Sequence, residues 1–192
     1  MALTSSQVGV ISCGIAVQAF IFIVLNAFVA QVAGSDQVWI AFQAWAMYFL
    51  AGCTILGGIR AFIGYVTGVV ASVLIIVLMG VLGGIADGFL FNVGAGINLA
   101  MALAVFIVVV PAIFLSTKLD NFIPALFVGS GAFFALATIK GLGGPGYALD
   151  NFTMHWNVSQ VVLVYCAFGL LNGFITVFWR SRYEASLNRN KS

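Results

Sequence analysis

Gln43, Trp45, Tyr48, Phe49 and Thr54 fall close together at one end of an apolar run, and Phe133, Phe134 and Thr138 fall together in another. Their chemistry is neutral recognition. Amide and hydroxyl groups can replace water around a passing solute, and aromatic rings can form an apolar constriction that rejects hydrated ions. Gln18, Asn26, Gln160, Tyr165 and Asn172 interrupt other apolar runs. A side-chain amide in hydrocarbon needs a partner or a wet cavity, so interhelical hydrogen bonding is the plainer role for these residues. Packing is the plainer role for the aromatics. At about 3.6 residues per turn, Gln18 and Asn26 share a helix face within roughly a quadrant, whereas Gln43 and Trp45 point to different faces.

Other chemistries lack their parts. No span interior holds a clear Asp, Glu, Lys, Arg or His, and such residues mark proton relays and ion coupling. No base–nucleophile pair or metal-ligand set is visible, so neither enzymatic activity nor a cofactor or metal is expected. Cys13, Cys53 and Cys166 are odd in number and far apart within apolar runs, which is the pattern of packing residues. The single histidine, His155, reads as an interface anchor beside Trp156 in an outer loop.

The elements that must position these groups follow from composition. Of 192 residues, 63% are hydrophobic and 6% charged, with a mean hydropathy of +1.17. A soluble domain carries about a quarter charged residues, so this chain reads as a polytopic integral membrane protein. Seven Lys and Arg against five Asp and Glu make no nucleic-acid footprint. At about 20 residues per crossing, six spans fit: 7–30, 38–56, 61–82, 98–115, 122–139 and 158–179. The longest loop would be 140–157, and 180–192 a polar tail. Arg60, Lys118, Arg180, Arg182, Arg189 and Lys191 collect on one side and Lys140 alone on the other. The positive-inside rule then puts both termini in the cytoplasm and requires an even span count. Trp39 and Trp156 would mark the outer interface and Trp179 the inner one.

An internal repeat shapes the plan further. Phe49-Leu-Ala51-Gly-Cys-Thr54-Ile55-Leu-Gly57 and Phe133-Phe-Ala135-Leu-Ala-Thr138-Ile139-Lys-Gly141 both read F-x-A-x-x-T-I-x-G. The copies sit on span two of three and span five of six. Halves of about 1–84 and 85–179, each of three spans, would face opposite ways, as in transporters with a midplane solute path. Glycines gather between Gly80 and Gly96 and again over Gly141–Gly146, where loops or re-entrant turns are expected. Gly64-x-x-x-Gly68 permits close helix packing, within the chain or between copies.

The stretch Val38-Trp39-Ile-Ala-Phe42-Gln-Ala-Trp45-Ala-Met-Tyr48-Phe49-Leu-Ala-Gly52, with Phe122-Ile-Pro124-Ala-Leu-Phe127-Val-Gly129-Ser-Gly-Ala-Phe133-Phe-Ala135, resembles the best-marked parts of a small bacterial inner-membrane family known mainly as a domain of unknown function. The resemblance implies an inner-membrane location and supplies no catalytic residues. In size and span count the chain is also similar to six-span urea/amide channels and acetate permeases, although the Asn-Pro-Ala-Pro motif of the permeases is absent.

The sequence therefore predicts an all-α integral membrane protein with six transmembrane helices in an inverted 3+3 repeat. It would be a homo-oligomer in the bacterial inner membrane, with no nucleic-acid partner. The leading function is a channel or facilitator for a small neutral solute. Gln43, Trp45, Tyr48, Phe49, Thr54, Phe133, Phe134 and Thr138 would form its constriction. The alternative is a structural or accessory subunit of a membrane complex.

Overall fold

A computed structural model describes residues 4–85, 92–93, 97–138 and 152–189. Among them are six α-helices and one two-residue antiparallel ladder, in which Asn92 faces Asn98 and Val93 faces Ile97. The expected glycines Gly88, Gly94, Gly96 and Gly141–Gly146, with Lys140, lie outside the described residues.

Helix α1, Ser5–Ala33, starts with a reciprocal cap. The Gln7 amide N–H donates to Thr4 Oγ1 at 3.4 Å, and the Thr4 N–H donates to Gln7 Oε1 at 2.9 Å. It ends at Gly34, whose φ of 77° suits a residue without a Cβ. Helix α2 covers Val38–Leu50, α3 Ile55–Ile85, α4 Leu99–Lys118, α5 Ile123–Thr138 and α6 Phe152–Arg189.

Four helices are long and apolar enough to cross a membrane, over Ser5–Ala33, Ile55–Leu82, Ala100–Lys118 and Thr153–Leu187. Most of their large exposed side chains are apolar, with Phe20 70% and Phe106 67% exposed. Such a surface is stable only against lipid or another apolar partner, so the chain is a multi-pass membrane protein. Helices α2 and α5 are apolar but shorter, at 13 and 16 residues.

Several expected boundaries need correction. The second span, expected to reach residue 56, stops at Leu50, because Gly52 (φ 93°) and Cys53 (φ 58°) turn the chain through left-handed backbone. Ile55 and Leu56 instead open α3, where Thr54 Oγ1 accepts the Gly57 N–H at 2.9 Å. The sixth helix begins at Phe152, inside the expected loop, and runs through the expected polar tail to Arg189. The Arg180–Glu184 pair at i,i+4 (2.9 Å) supports that last stretch.

The chain forms two compact units. The first comprises Met1–Gly58 and Val164–Ser192, hence α1, α2 and the later part of α6. Here Gly169 and Gly173 bring α6 against α2. A Cβ on Gly169 would collide with the Ala41 carbonyl, and one on Gly173 would lie 2.5 Å from Tyr48 Cβ. The second unit is Ile59–Leu163. In it Gly64, Gly68 and Gly129 bring α3 against α5, where Ser72 and Ser130 hydroxyls meet at 2.6 Å. Small residues drive such contacts in lipid because close backbone approach gains dispersion energy that lipid tails do not supply. Arg60 pairs with Asp120, and the Phe122 N–H donates to the Arg60 carbonyl at 3.4 Å.

Candidate functional site

The predicted constriction residues divide between the two units. On α2, Trp45 and Tyr48 are buried, whereas Gln43 and Phe49 are exposed. The two-faced arrangement of Gln43 and Trp45 is thus as the periodicity requires. Thr54 is exposed and caps α3. In the second unit, Phe133 is buried and meets Phe134 edge-on, with ring centroids 6.2 Å apart. Thr138 is the last residue of α5, and its side chain lies outside the described residues. Over the described residues of the two F-x-A-x-x-T-I-x-G copies the backbone differs, since Ala51 is the C-cap of α2 while 133–138 stay within α5.

The polar residues of the apolar runs form sharper geometry. Gln18 lies near the middle of α1, with thirteen residues before it and fifteen after. Asn172 lies on α6, seven residues before Trp179. Gln18 Nε2 donates to Asn172 Oδ1 and to the Asn172 carbonyl, both at 2.8 Å. Gln18 Oε1 accepts from Trp179 Nε1 and from Thr176 Oγ1, both at 2.9 Å. Thr176 Oγ1 in turn accepts from Trp45 Nε1 at 3.0 Å. The Thr176 hydroxyl is also 2.9 Å from the Asn172 carbonyl, which competes for its single proton.

Indole chemistry fixes the orientation of this cluster. An indole N–H only donates, so the Gln18 oxygen must face Trp179 and its NH2 must face Asn172. Asn172 must therefore present its oxygen to Gln18. Its own Nδ2 is left buried with no hydrogen-bond partner. A buried, unmade donor costs about 1–3 kcal/mol.

Aromatic rings adjoin the cluster. Phe22 stacks on Phe168 (centroids 4.2 Å apart, planes within 9°) and lies 5.7 Å from Trp45. A cavity of about 580 Å³ lies along α1 and α6, lined among others by Gly14, Gln18, Phe22, Asn172 and Trp179. Trp179 passes over Gly14 so closely that an added Cβ there would sit 2.7 Å from the indole. Its indole N–H holds Gln18. Thr176, Gly14, Gly169 and Gly173 were not singled out by sequence. The Gly169-x-x-x-Gly173 spacing is a readable packing signal, and Thr176 repeats the Asn172 face one turn later.

The other polar residues of the apolar runs lie outside this cluster. Asn26 Nδ2 donates to Asp36 Oδ1 at 2.8 Å and Tyr165 donates to the Ser35 carbonyl at 3.0 Å, while Gln43 and Gln160 are exposed. His155, expected in a loop, is a buried residue of α6 near-parallel to Phe133 (centroids 6.3 Å apart), with neither ring nitrogen hydrogen-bonded. Among the described residues, no three His, Cys, Asp or Glu gather into a metal-holding group.

A multi-pass helical membrane protein with a neutral hydrogen-bonded cluster joining α1, α2 and α6 is the class these features define. The chain belongs to the family described as "Protein of unknown function (DUF1097)", whose model matches residues 16–179. Neither a curated protein nor a solved structure matches it. None of these comparisons shows the expected likeness to six-span urea/amide channels.

Proposed function

We propose that this protein is a facilitator for an uncharged solute, with Gln18, Asn172, Thr176, Trp45 and Trp179 as its recognition cluster. The observation that carries the reading is the buried Asn172 Nδ2, a donor without a partner in a cluster beside a 580 Å³ cavity. Solute sites of many transporters lie at the bilayer midplane. The charges on the described helices support an uncharged cargo: Arg60 lies in the second turn of α3, Lys118 ends α4, and Arg180, Arg182, Glu184 and Arg189 fall in the final turns of α6.

The topology that suits this reading has six crossings, including the short α2 and α5, in the bacterial inner membrane with both termini cytoplasmic. Six crossings put Arg60 and Lys118 on the cytoplasmic side with the basic tail. Four crossings would put them outside, against the positive-inside rule. The inverted 3+3 plan and a homo-oligomer accompany this reading. A cysteine at Leu119, in a background without the three native cysteines, separates the topologies. Six crossings make it unreactive to an impermeant maleimide in intact cells, and labelling there would leave four.

Stopped-flow measurements on proteoliposomes with urea, acetamide, glycerol, ammonia and acetate test the function. At least one neutral solute should outpace empty liposomes, and Gln18→Leu should slow it. Equal rates for every solute would leave the second reading, a structural or accessory subunit. That reading is favoured by Gln18, whose amide oxygen and nitrogen are both saturated by its own chain.

A further inference from the structure

Helices α4 and α6 carry the same device near their carboxyl ends. Lys118 Nζ lies over the Phe114 ring, 5.6 Å from its centroid, and the Arg182 guanidinium lies over the Phe178 ring at 4.2 Å. Each cation stands one turn beyond its aromatic. Phe114 and Phe178 are 64% and 46% exposed, and both cations are exposed, so the pairs face outward. The exposed row leading to each pair is apolar: Ile107 and Val110 before Phe114, Leu171 and Ile175 before Phe178. Steps of three and four residues keep each row on one side of its helix. From Ile107 to Lys118, and from Leu171 to Arg182, the row rises eleven positions, about 16 Å of helix. One leaflet contributes roughly half of the ~30 Å hydrocarbon core, so each row matches the length of one acyl layer.

Charge completes the description. The described acids are engaged elsewhere: Asp36 accepts from Asn26, Asp120 pairs with Arg60 and Glu184 pairs with Arg180. Neither Lys118 nor Arg182 has an acid partner among the described residues. A ring face orients a cation without neutralising it, and a guanidinium stacked on a ring keeps its N–H edge for a phosphate. Each row is therefore apolar along one leaflet and cationic at its end. The complementary molecule has an acyl tail and a net negative head. Phosphatidylcholine brings its own cation to its phosphate, whereas phosphatidylglycerol does not.

We propose that Phe178–Arg182 and Phe114–Lys118 each hold one acidic phospholipid, its phosphate on the cation and an acyl chain along the apolar row. The proposal is independent of whether the protein carries a solute.

Native mass spectrometry of the full-length protein counts the lipids it retains from micelles containing equal amounts of phosphatidylglycerol and phosphatidylcholine with matched chains. Two copies of phosphatidylglycerol should be held, each at a concentration about fivefold lower than phosphatidylcholine requires, the attraction of one basic residue for an anionic lipid surface. Arg182→Gln and Lys118→Gln should each remove one copy and together remove both, with far-UV circular dichroism unchanged, and Arg182→Lys should keep both. Arg189→Gln deletes the same charge two turns further along α6 and should leave both lipids bound. Equal retention of the two lipids overturns the proposal. So does a loss in Arg189→Gln equal to that in Arg182→Gln, which would mean diffuse attraction to a basic tail. Displacement of the lipids by sn-glycerol 3-phosphate would overturn it in favour of a water-soluble phosphate ester.

Discussion

Thr176→Val tests the cluster with little change of shape. Valine fills the space of threonine but has no hydroxyl, so no cavity opens. Thr176 is 1% exposed, and its oxygen accepts the Trp45 indole N–H at 3.0 Å. The variant strands that indole, which is 7% exposed. Gln18 Oε1 loses one donor but keeps Trp179 at 2.9 Å, so the cost falls on Trp45. An unsatisfied buried donor costs about 1–3 kcal/mol in a soluble core. Interhelical hydrogen bonds in membranes couple by about 0.6 kcal/mol on average and about 1.7 at most. The lower scale governs here, because the unfolded chain in lipid or detergent also finds partners. Thr176→Val should therefore destabilise by about 0.6–1.7 kcal/mol. Reversible unfolding in mixed micelles, followed by helical circular dichroism, reads this value. Adding Trp45→Phe completes a cycle whose coupling should approach the same figure. A variant within about 0.3 kcal/mol of wild type, with coupling near zero, would refute a working Trp45–Thr176–Gln18 chain.

Two glycines of α5 should respond oppositely to alanine. At Gly129 a Cβ would lie 2.9 Å from the Tyr65 carbonyl, whereas at Gly131 nothing lies within 4 Å. Gly129→Ala should lose about 1–3 kcal/mol by overpacking and Gly131→Ala gain up to about 1 kcal/mol from helix propensity, as measured by unfolding in micelles. His155→Phe keeps the ring beside Phe133 and removes two buried unpartnered nitrogens. It should be neutral or stabilising by about 1 kcal/mol; a clear loss in the same unfolding assay would mean that the imidazole holds a partner. Thr54→Ala should lower stability by about 1 kcal/mol through the lost α3 cap while leaving solute flux unchanged, and a flux change at unchanged stability would return Thr54 to the constriction.

Much of this fold is legible in the chain. The apolar run from Gln7 to Ala30 becomes α1, and the runs behind α4 and α5 fall close to Leu99–Lys118 and Ile123–Thr138. Failures occur where hydropathy and backbone conformation part company. Residues 51–56 are apolar apart from Thr54, through a break marked by the positive φ of Gly52 and Cys53. A cysteine gives no local sign of left-handed backbone. The chain turns polar beyond Trp179, yet Tyr183, Glu184, Ala185 and Leu187 continue the helix, because leaving the hydrocarbon does not require the helix to end. The polar cluster was half legible. Gln18 and Asn172 stand out as amides in apolar runs, but Thr176 does not, and no pattern pairs residues 154 apart in the chain.

The amino-acid sequence by itself determined the solvent and the charge. Hydropathy sums locally, so 63% apolar and 6% charged residues require a membrane and keep the middle of the spans neutral whatever the topology. Tertiary structure alone decided which amides meet and what remains unmade. Hydrogen-bond capacity is settled only when partners are counted in space. Two indoles that can only donate orient Gln18 and Thr176, Gln18 orients Asn172, and the remainder is one buried N–H facing the question of what accepts it.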